Sequence, residues 1–389
     1  FGHIPLFLEA STENREQTDP AVVYASIFDD LRFAIDNIPA DAYSDAASHG
    51  HITKYAAESM FTRAYLFYSG YYDTNPSYSN GTPISQSEAL AAVEDVISSD
   101  RFSLVPEFKN LWPAASLVAI PDAAGWNPEL STYAGDANSE VVLAQLFTPT
   151  QDYNGNNDAN RWLVNMGLRN VNSTPYGKGW GFCTVTPVFF RNNFVPQDLR
   201  RTASVIEIET EKVDEADGFE ASVNDWREYT GLCVKKYTPM VFGNGKPATS
   251  PDGSADFMIN NTQPWVIVRY ADVLLMAAEL GSPNASEYMH RIRSRAGLPD
   301  ITVNKKNILD ERARELAFEG VRYWDLLRQG VEVMADAIVA SGGNVLSGGN
   351  AATVSYNRER IIATRGLSQI PLNQITLSNG VLKQNAGWY

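Results

Sequence analysis

Cysteine is almost absent from this 389-residue chain: Cys183 and Cys233 are the only two, so at most one disulfide can form. Two readings stay open, a single bridge in an oxidising compartment or two buried free thiols. Histidine is scarce too, with only His3, His49, His51 and His290. A Ser-His-Asp triad must draw on these four, and no GxSxG elbow accompanies them. No run of about 18 apolar residues occurs, which excludes a transmembrane helix. The opening FGHIPLFLEA carries no secretory signal pattern. Positive charge is also short: 31 Lys and Arg stand against 46 Asp and Glu, a formal net charge of −15. Phosphate contacts need clustered Lys and Arg, so nucleic acid is not an expected partner. What remains, 44% hydrophobic, 11% aromatic and 20% charged, is a folded globular composition and not a disordered one.

The first hundred residues read as helices. In DPAVVYASIFDDLRFAIDNIP, Val23, Ile27, Leu31, Ala34 and Ile38 recur at helical spacing, with Asp19 as cap and Pro20 in the first turn. In TKYAAESMFTRAYLFYSG, Thr53 is the candidate cap. Ala56, Ala57, Met60, Ala64 and Phe67 form a face, and Gly70 is the expected stop. SQSEALAAVEDVISS follows, with Ser85 and Glu88 spaced as a capping box. Small contact residues and short connections suggest stacked helical hairpins. From residue 105 to 263 the helical period fades. Gly, Pro, Asn, Trp and Tyr rise there, and VVLAQLF and GLCVKKY read as strands. A loop-rich segment this long is usually functional. Helices return with PWVIVRYADVLLMAAELG and SEYMHRIRSRAGLP, and the C-terminal tail reads as an extended segment wrapped on the body.

ERARELAFEGVRYWDLLRQG, residues 311–330, is dense in charge. A helix from Lys305 to Gln329 puts Ala313, Leu316, Ala317, Gly320, Trp324 and Leu327 on one face. Its charges then pair locally: Glu311 with Arg314, Arg312 with Glu315, Glu319 with Arg322, Asp325 with Arg328. Exposed pairs of this kind contribute about 0.2–0.5 kcal/mol each, so the pattern is explained without catalysis.

This stretch also resembles the signature helix of the SusD/RagB family of outer-membrane nutrient-binding lipoproteins. VRYADVLLMAAEL, RIRSRAGLP and ERARELAFEGVRYWDLLRQG follow one another in the family's order. IPLNQITLSNGVLKQNAGW resembles its C-terminal tail. GHIPLFLE and TKYAAESMFTRAYLFYSGYY resemble its early helical repeats, and GKGWGFCTVTPVFFRNNFVPQDLRR its central segment. The resemblance implies a mainly α fold, a tetratricopeptide-like α-α superhelix carrying a large loop-rich insertion with short strands. Residues 1–104 would be N-terminal hairpins, 105–263 the insertion and 264–389 the C-terminal helices and tail, all in one compact domain. It implies a non-catalytic protein at the cell surface that hands oligosaccharides to a SusC-like TonB-dependent transporter. Some members take peptides instead. In the family a lipidation signal, a lipid-bearing Cys and a further helical stretch precede the GxxPL-like segment that here starts at Gly2. Part of the family's fold, its lipid anchor included, is thus expected outside this sequence.

The residues agree with a binding role. A glycosidase needs two carboxylates at a set distance, and 46 acids make some close pair inevitable, so their presence carries no weight. His49-Gly50-His51 lacks a metal-site context. The GNGK at residues 243–246 runs into Pro247 and lacks the phosphate-loop pattern. DEADGFEASVND departs from EF-hand spacing, which leaves no cofactor expected and structural calcium open. A sugar site needs flat aromatics for C–H faces and planar amides for hydroxyls. The loop-rich middle supplies Trp126, Tyr133, Tyr153, Asn154, Asn156, Asn157 and Trp162. Trp162 and Tyr153 flank a Gly-Asn-rich loop and are the leading stacking residues. Trp226 is nearby in sequence, with a ligand contact and a core aromatic both open; Trp180 reads as structural, and Trp265 and Trp324 as packing residues. The competing readings are the same fold binding peptides, a protein-interaction scaffold, and a glycoside hydrolase.

Overall fold

The computed structural model describes residues 1–44, 49–116, 132–148, 159–241, 257–259 and 261–388. Helix α1, Pro20–Asn37, starts where the Asp19 carboxylate accepts from the Ala21 N–H at 2.8 Å. Thr53 caps α2, Lys54–Tyr72, accepting from the Ala56 N–H at 3.1 Å. This helix runs past Gly70, which is not a stop. A Cβ there would collide with the Arg328 carbonyl, so Gly70 is a contact glycine. The helix ends at Asp73, in the left-handed region at φ 52°. Ser85 caps α3, Gln86–Ser98, as its spacing predicts. The Glu88 carboxylate does not close the capping box but accepts from the Tyr78 hydroxyl at 2.5 Å.

The middle of the chain holds short elements: β1 Val141–Gln145, α4 Arg161–Met166, β2 Leu168–Arg169, β3 Lys178–Gly179, α5 Pro187–Asn193, α6 Arg200–Ser204, β4 Val205–Glu207, α7 Phe219–Asp225, β5 Leu232–Val234 and β6 Trp265–Arg269. The strands pair as β1–β6 and β4–β5, both antiparallel, and β2–β3, parallel. Helices resume with α8 Tyr270–Glu279, α9 Ala285–Arg295, α10 Lys305–Glu315, α11 Arg322–Leu327 and α12 Val331–Ala340. The hairpin β7 Gly343–Ser347 and β8 Asn350–Val354 and the short helices α13 Arg358–Ala363 and α14 Leu372–Leu377 complete the order. The run PWVIVRYADVLLMAAELG is therefore not one helix. Its β-branched Val266-Ile267-Val268 pairs with β1, and the helix starts only at Tyr270.

Helix α1 packs on α2, α2 on α3, α3 on α8 and α8 on α9. That succession is the helical stack, and its core holds Phe28, Phe61, Val93, Leu274 and Ile292. Helices α3 and α8 touch although some 170 residues separate them in sequence, so the loop-rich middle is an insertion between two stacked helices. The insertion has its own cores, one around Trp112, Phe190, Phe194 and Tyr237, the other around Leu168, Ile206 and Trp226. The tail folds into α14 and then returns to the start of the chain, where the Asn385 amide donates to the Phe1 carbonyl at 2.7 Å. Cys183 and Cys233 are both free thiols, and burial pushes both up.

The expected helix Lys305–Gln329 is broken. Phe318 at φ 67° and Gly320 at φ 82° turn the chain between α10 and α11. Ala313, Leu316, Ala317 and Leu327 are buried, but Trp324 leaves their face and is 51% exposed. Of the four local ion pairs, Glu311–Arg314 at 3.0 Å and Asp325–Arg328 at 2.8 Å form. Arg312 reaches Asp272 at 2.5 Å and Asp325 at 2.8 Å instead of Glu315. Glu315 meets Arg200, Arg269 and Arg295 at 2.9, 2.6 and 2.5 Å, and Glu319 meets Lys236 and Arg269, both at 2.8 Å. These carboxylates are buried. An uncompensated charge inside the protein is far more costly than an unpaired one in water, so the long-range arginines, not the local neighbours, decide the pairing. Burial alone would raise the Glu315 carboxyl; Arg295, Arg269 and Arg200 outweigh it and hold it well below the usual range.

Candidate functional site

Helix α4 carries Trp162 and is held at its start by Asn160, a fully buried residue. The Asn160 side-chain oxygen accepts from the Trp162 N–H at 3.0 Å, and its amide donates to the Gln263 carbonyl at 2.8 Å. The Asn160 N–H donates to the Asn261 carbonyl at 2.7 Å. Gln263 in turn donates to the Lys236 carbonyl at 2.9 Å. One short helix is thereby tied at its first turn to the segment that leads into β6 and α8, and a cap of this kind fixes both its start and its direction.

Trp162 is 54% exposed. Beneath it lies a column of rings: Trp162 to Trp265 at 5.8 Å and 38°, Trp265 to Tyr237 at 4.5 Å and 25°, Tyr237 to Trp112 at 5.2 Å. Tyr237 and Trp112 are fully buried. Under the column the Lys236 ammonium sits 5.0 Å from the Trp112 ring centre and 2.8 Å from Glu319. Burial lowers Lys236 to about 8 against the pull of Glu319. The exposed indole is thus the outer end of a rigid stack whose inner end rests on the buried charges. Beside α4, Trp180 lies under the Arg161 guanidinium at 5.8 Å and beside Phe182, itself 61% exposed. Aromatic faces with a planar cation among them can stack on sugar rings and donate to their hydroxyls.

The structure sorts the expected residues. Trp162 is on the surface. Tyr133 is half-buried. Its hydroxyl donates to Asp136 at 2.6 Å, and burial, then Asp136, then Tyr237 hold it well above the ordinary phenol range. It lies near the third ring of the column, Tyr237. Trp126, Tyr153, Asn154, Asn156 and Asn157 lie outside the described residues. Trp226 is core, donating to the Gly181 carbonyl at 2.7 Å. Trp265 is no helix packing residue: it stands on β6 directly beneath Trp162. Sequence reasoning missed it because its run was read as helical throughout, and the β-branched triplet after it was the available signal. Phe182 was missed as well. Among the described residues no cluster of three or more His, Cys, Asp or Glu is placed to hold a metal.

Comparison with known proteins puts this geometry in context. Residues 197–388 match the model of the SusD family. Over 366 residues, 84% of the chain, it is 25% identical to SusD-like protein P2 of Formosa agariphila, and spans 61% of that relative. A 90-residue stretch is 40% identical to SusD-like protein P38 of the same organism, 18% of each chain. The whole chain superposes on 74% of a laminarin-binding SusD-like protein at TM-score 0.73 and 22% identity. It superposes on 74% of surface glycan-binding protein A from Bacteroides thetaiotaomicron, in complex with laminarihexaose, at TM-score 0.72 and 21% identity. Residues 197–388, just under half of the chain, match the SusD family, and the chain has the SusD-like fold.

Proposed function

We propose that this SusD-family chain binds glycan at the cell surface without cleaving it and passes oligosaccharides to a SusC-like TonB-dependent transporter. In this reading the protein is held on the outer membrane by an N-terminal lipid. The observation that carries the binding role is Trp162, exposed over Trp265 on a stack anchored in the core. A flat apolar face held rigid loses little entropy when a sugar ring covers it. Structural relatives named for laminarin binding, and one in complex with laminarihexaose, support a polysaccharide ligand. No helix among the described residues is long and apolar enough to cross a membrane, which is compatible with a lipid anchor.

The test is titration of the purified chain with a panel of polysaccharides, laminarin among them, and with a mixed peptide pool, each checked for cleavage afterwards. Saturable binding of one glycan class with the glycan intact is the expected outcome. Binding of peptides alone would move the assignment to a peptide carrier, and released reducing ends would make the protein an enzyme.

A further inference from the structure

The hairpin β7–β8 is a sheet of two strands whose five residue pairs, from Gly343–Val354 to Ser347–Asn350, run in unbroken register. Gly348 at φ 57° and Gly349 at φ 73° make the tight turn between them. One edge is partly covered. The Leu346 N–H donates to the Tyr229 carbonyl at 2.9 Å, the Tyr229 N–H donates to the Leu346 carbonyl at 2.8 Å, and the Gly348 N–H donates to the Trp226 carbonyl at 2.9 Å. This exchange fixes how the backbone of the hairpin points. Leu346 faces Tyr229, so the backbone groups of Ala351 opposite it turn away from β7, and by the alternation of an antiparallel ladder so do those of Thr353. Among the described residues no strand or bridge pairs with this outer edge of β8, and Ala351 and Thr353 are exposed.

An open strand edge is a template for another strand, and proteins guard such edges with lysine, proline, a bulge or a covering segment. β8 reads Asn-Ala-Ala-Thr-Val, without lysine or proline, and its register has no bulge. Residues 337–357 carry no charged side chain, in a chain that is 20% charged and has a formal net charge of −15. Two bodies of that charge repel each other, and an uncharged strand is where they can come together. A hairpin of two strands is marginal in water, whereas further strands make a sheet self-sustaining. A strand that pairs antiparallel with its own copy does so about a two-fold axis, with the same edge on both sides, and needs no second recognition surface.

We propose that two copies of this chain join through β8, antiparallel and edge to edge, in a four-stranded sheet of order β7-β8-β8-β7. Ala351 and Thr353 of each copy supply the backbone donors and acceptors of the new ladder. A contact built on one five-residue strand buries less than the roughly 1,200 Å² of a standard interface, so the dimer is weak and reversible. The pairing does not use Trp162 and stands independently of glycan binding.

Sedimentation equilibrium of the full chain over a range of concentrations tests it, with backbone amide exchange measured at the lowest and the highest. A monomer–dimer equilibrium is expected, with the amides of Ala351 and Thr353 exchanging at least tenfold more slowly in the dimer. Added salt should strengthen the dimer, because it screens the repulsion between two acidic bodies and breaks no ion pair. Thr353→Lys puts like charges on both sides of the axis and should weaken the dimer at least tenfold. Because the Thr353 hydroxyl also donates to Asn344, Ala351→Lys, which leaves that bond in place, should weaken it as much at an unchanged melting temperature. Ser98→Lys, the same charge change at the exposed end of α3, should not weaken it. A monomer at every concentration up to about 1 mM, a dimer indifferent to both edge lysines, or one that weakens with salt would each overturn the proposal. Protection of the same amides only on addition of a mixed peptide pool would give the edge to a foreign strand and overturn self-pairing.

Discussion

Arg269 reaches Glu140 at 2.7 Å, with both side chains buried, where the insertion rejoins the helical stack. The backbone repeats the closure: the Tyr270 N–H donates to the Glu140 carbonyl at 2.7 Å, and β1 pairs with β6. Arg269 also meets Glu315 and Glu319 on the stretch after α9, so one guanidinium joins the base of β1 inside the insertion to the C-terminal helices. The fold's largest departure from a plain helical stack is thereby fastened by buried charge.

Removing one carboxylate from that network should be severe. Glu315→Gln leaves Arg200, Arg269 and Arg295 short of a buried partner and should cost about 3–5 kcal/mol in denaturant unfolding. The exposed Lys306–Asp310 pair, at 2.6 Å, is the control: Asp310→Asn should change stability by under about 1 kcal/mol.

Asn160→Ala should cost about 0.5–2 kcal/mol through the lost cap. The same change frees the first turn of α4 from Gln263, so glycan affinity should fall with it. A stability loss with unchanged affinity would show that α4 is positioned by other contacts.

Glu58 gives the protein a pH dependence between pH 4.5 and about 8. Burial, then the neighbouring Asp95, raises its carboxyl from the ordinary 4.5 to about 8, against the pull of Lys54. The folded protein therefore keeps a proton there that the unfolded chain has released. The stabilisation tied to that proton is complete below pH 4.5 and is lost as pH rises toward about 8. Melting temperature should decline over this window in the wild type and decline less in Glu58→Gln.

The two cysteines give a direct count. Unfolded without reductant, the protein should show two titratable thiols, while the folded protein should expose Cys183 faster than the buried Cys233. No thiol in the unfolded chain would mean a disulfide.

The helical half was legible because its signals are local. Asp19, Thr53 and Ser85 cap α1, α2 and α3 through contacts only two or three residues away. The charged stretch was legible only in part, for the opposite reason. Glu315 lies three residues from Arg312, yet its partners are Arg200, Arg269 and Arg295, and nothing local encodes a choice made by desolvation at separations of 115, 46 and 20 residues. The exposure of Trp162 could be read from its Gly-Asn-rich flank. Trp265 could not be recognised as its support, since that contact depends on β6 pairing with β1 and on the bend before α8. Gly70 shows the same limit. In sequence it reads as a stop, whereas its purpose is to admit a carbonyl from a segment some 250 residues away.

The most direct test of the account is the affinity of Trp162→Ala for the glycan that the wild type binds best, with the melting temperature measured beside it. A loss of at least tenfold, about 1.4 kcal/mol, at an unchanged melting temperature is predicted. Unchanged affinity would contradict the account, because it would place the ligand elsewhere and leave the Trp162–Trp265 stack a structural feature.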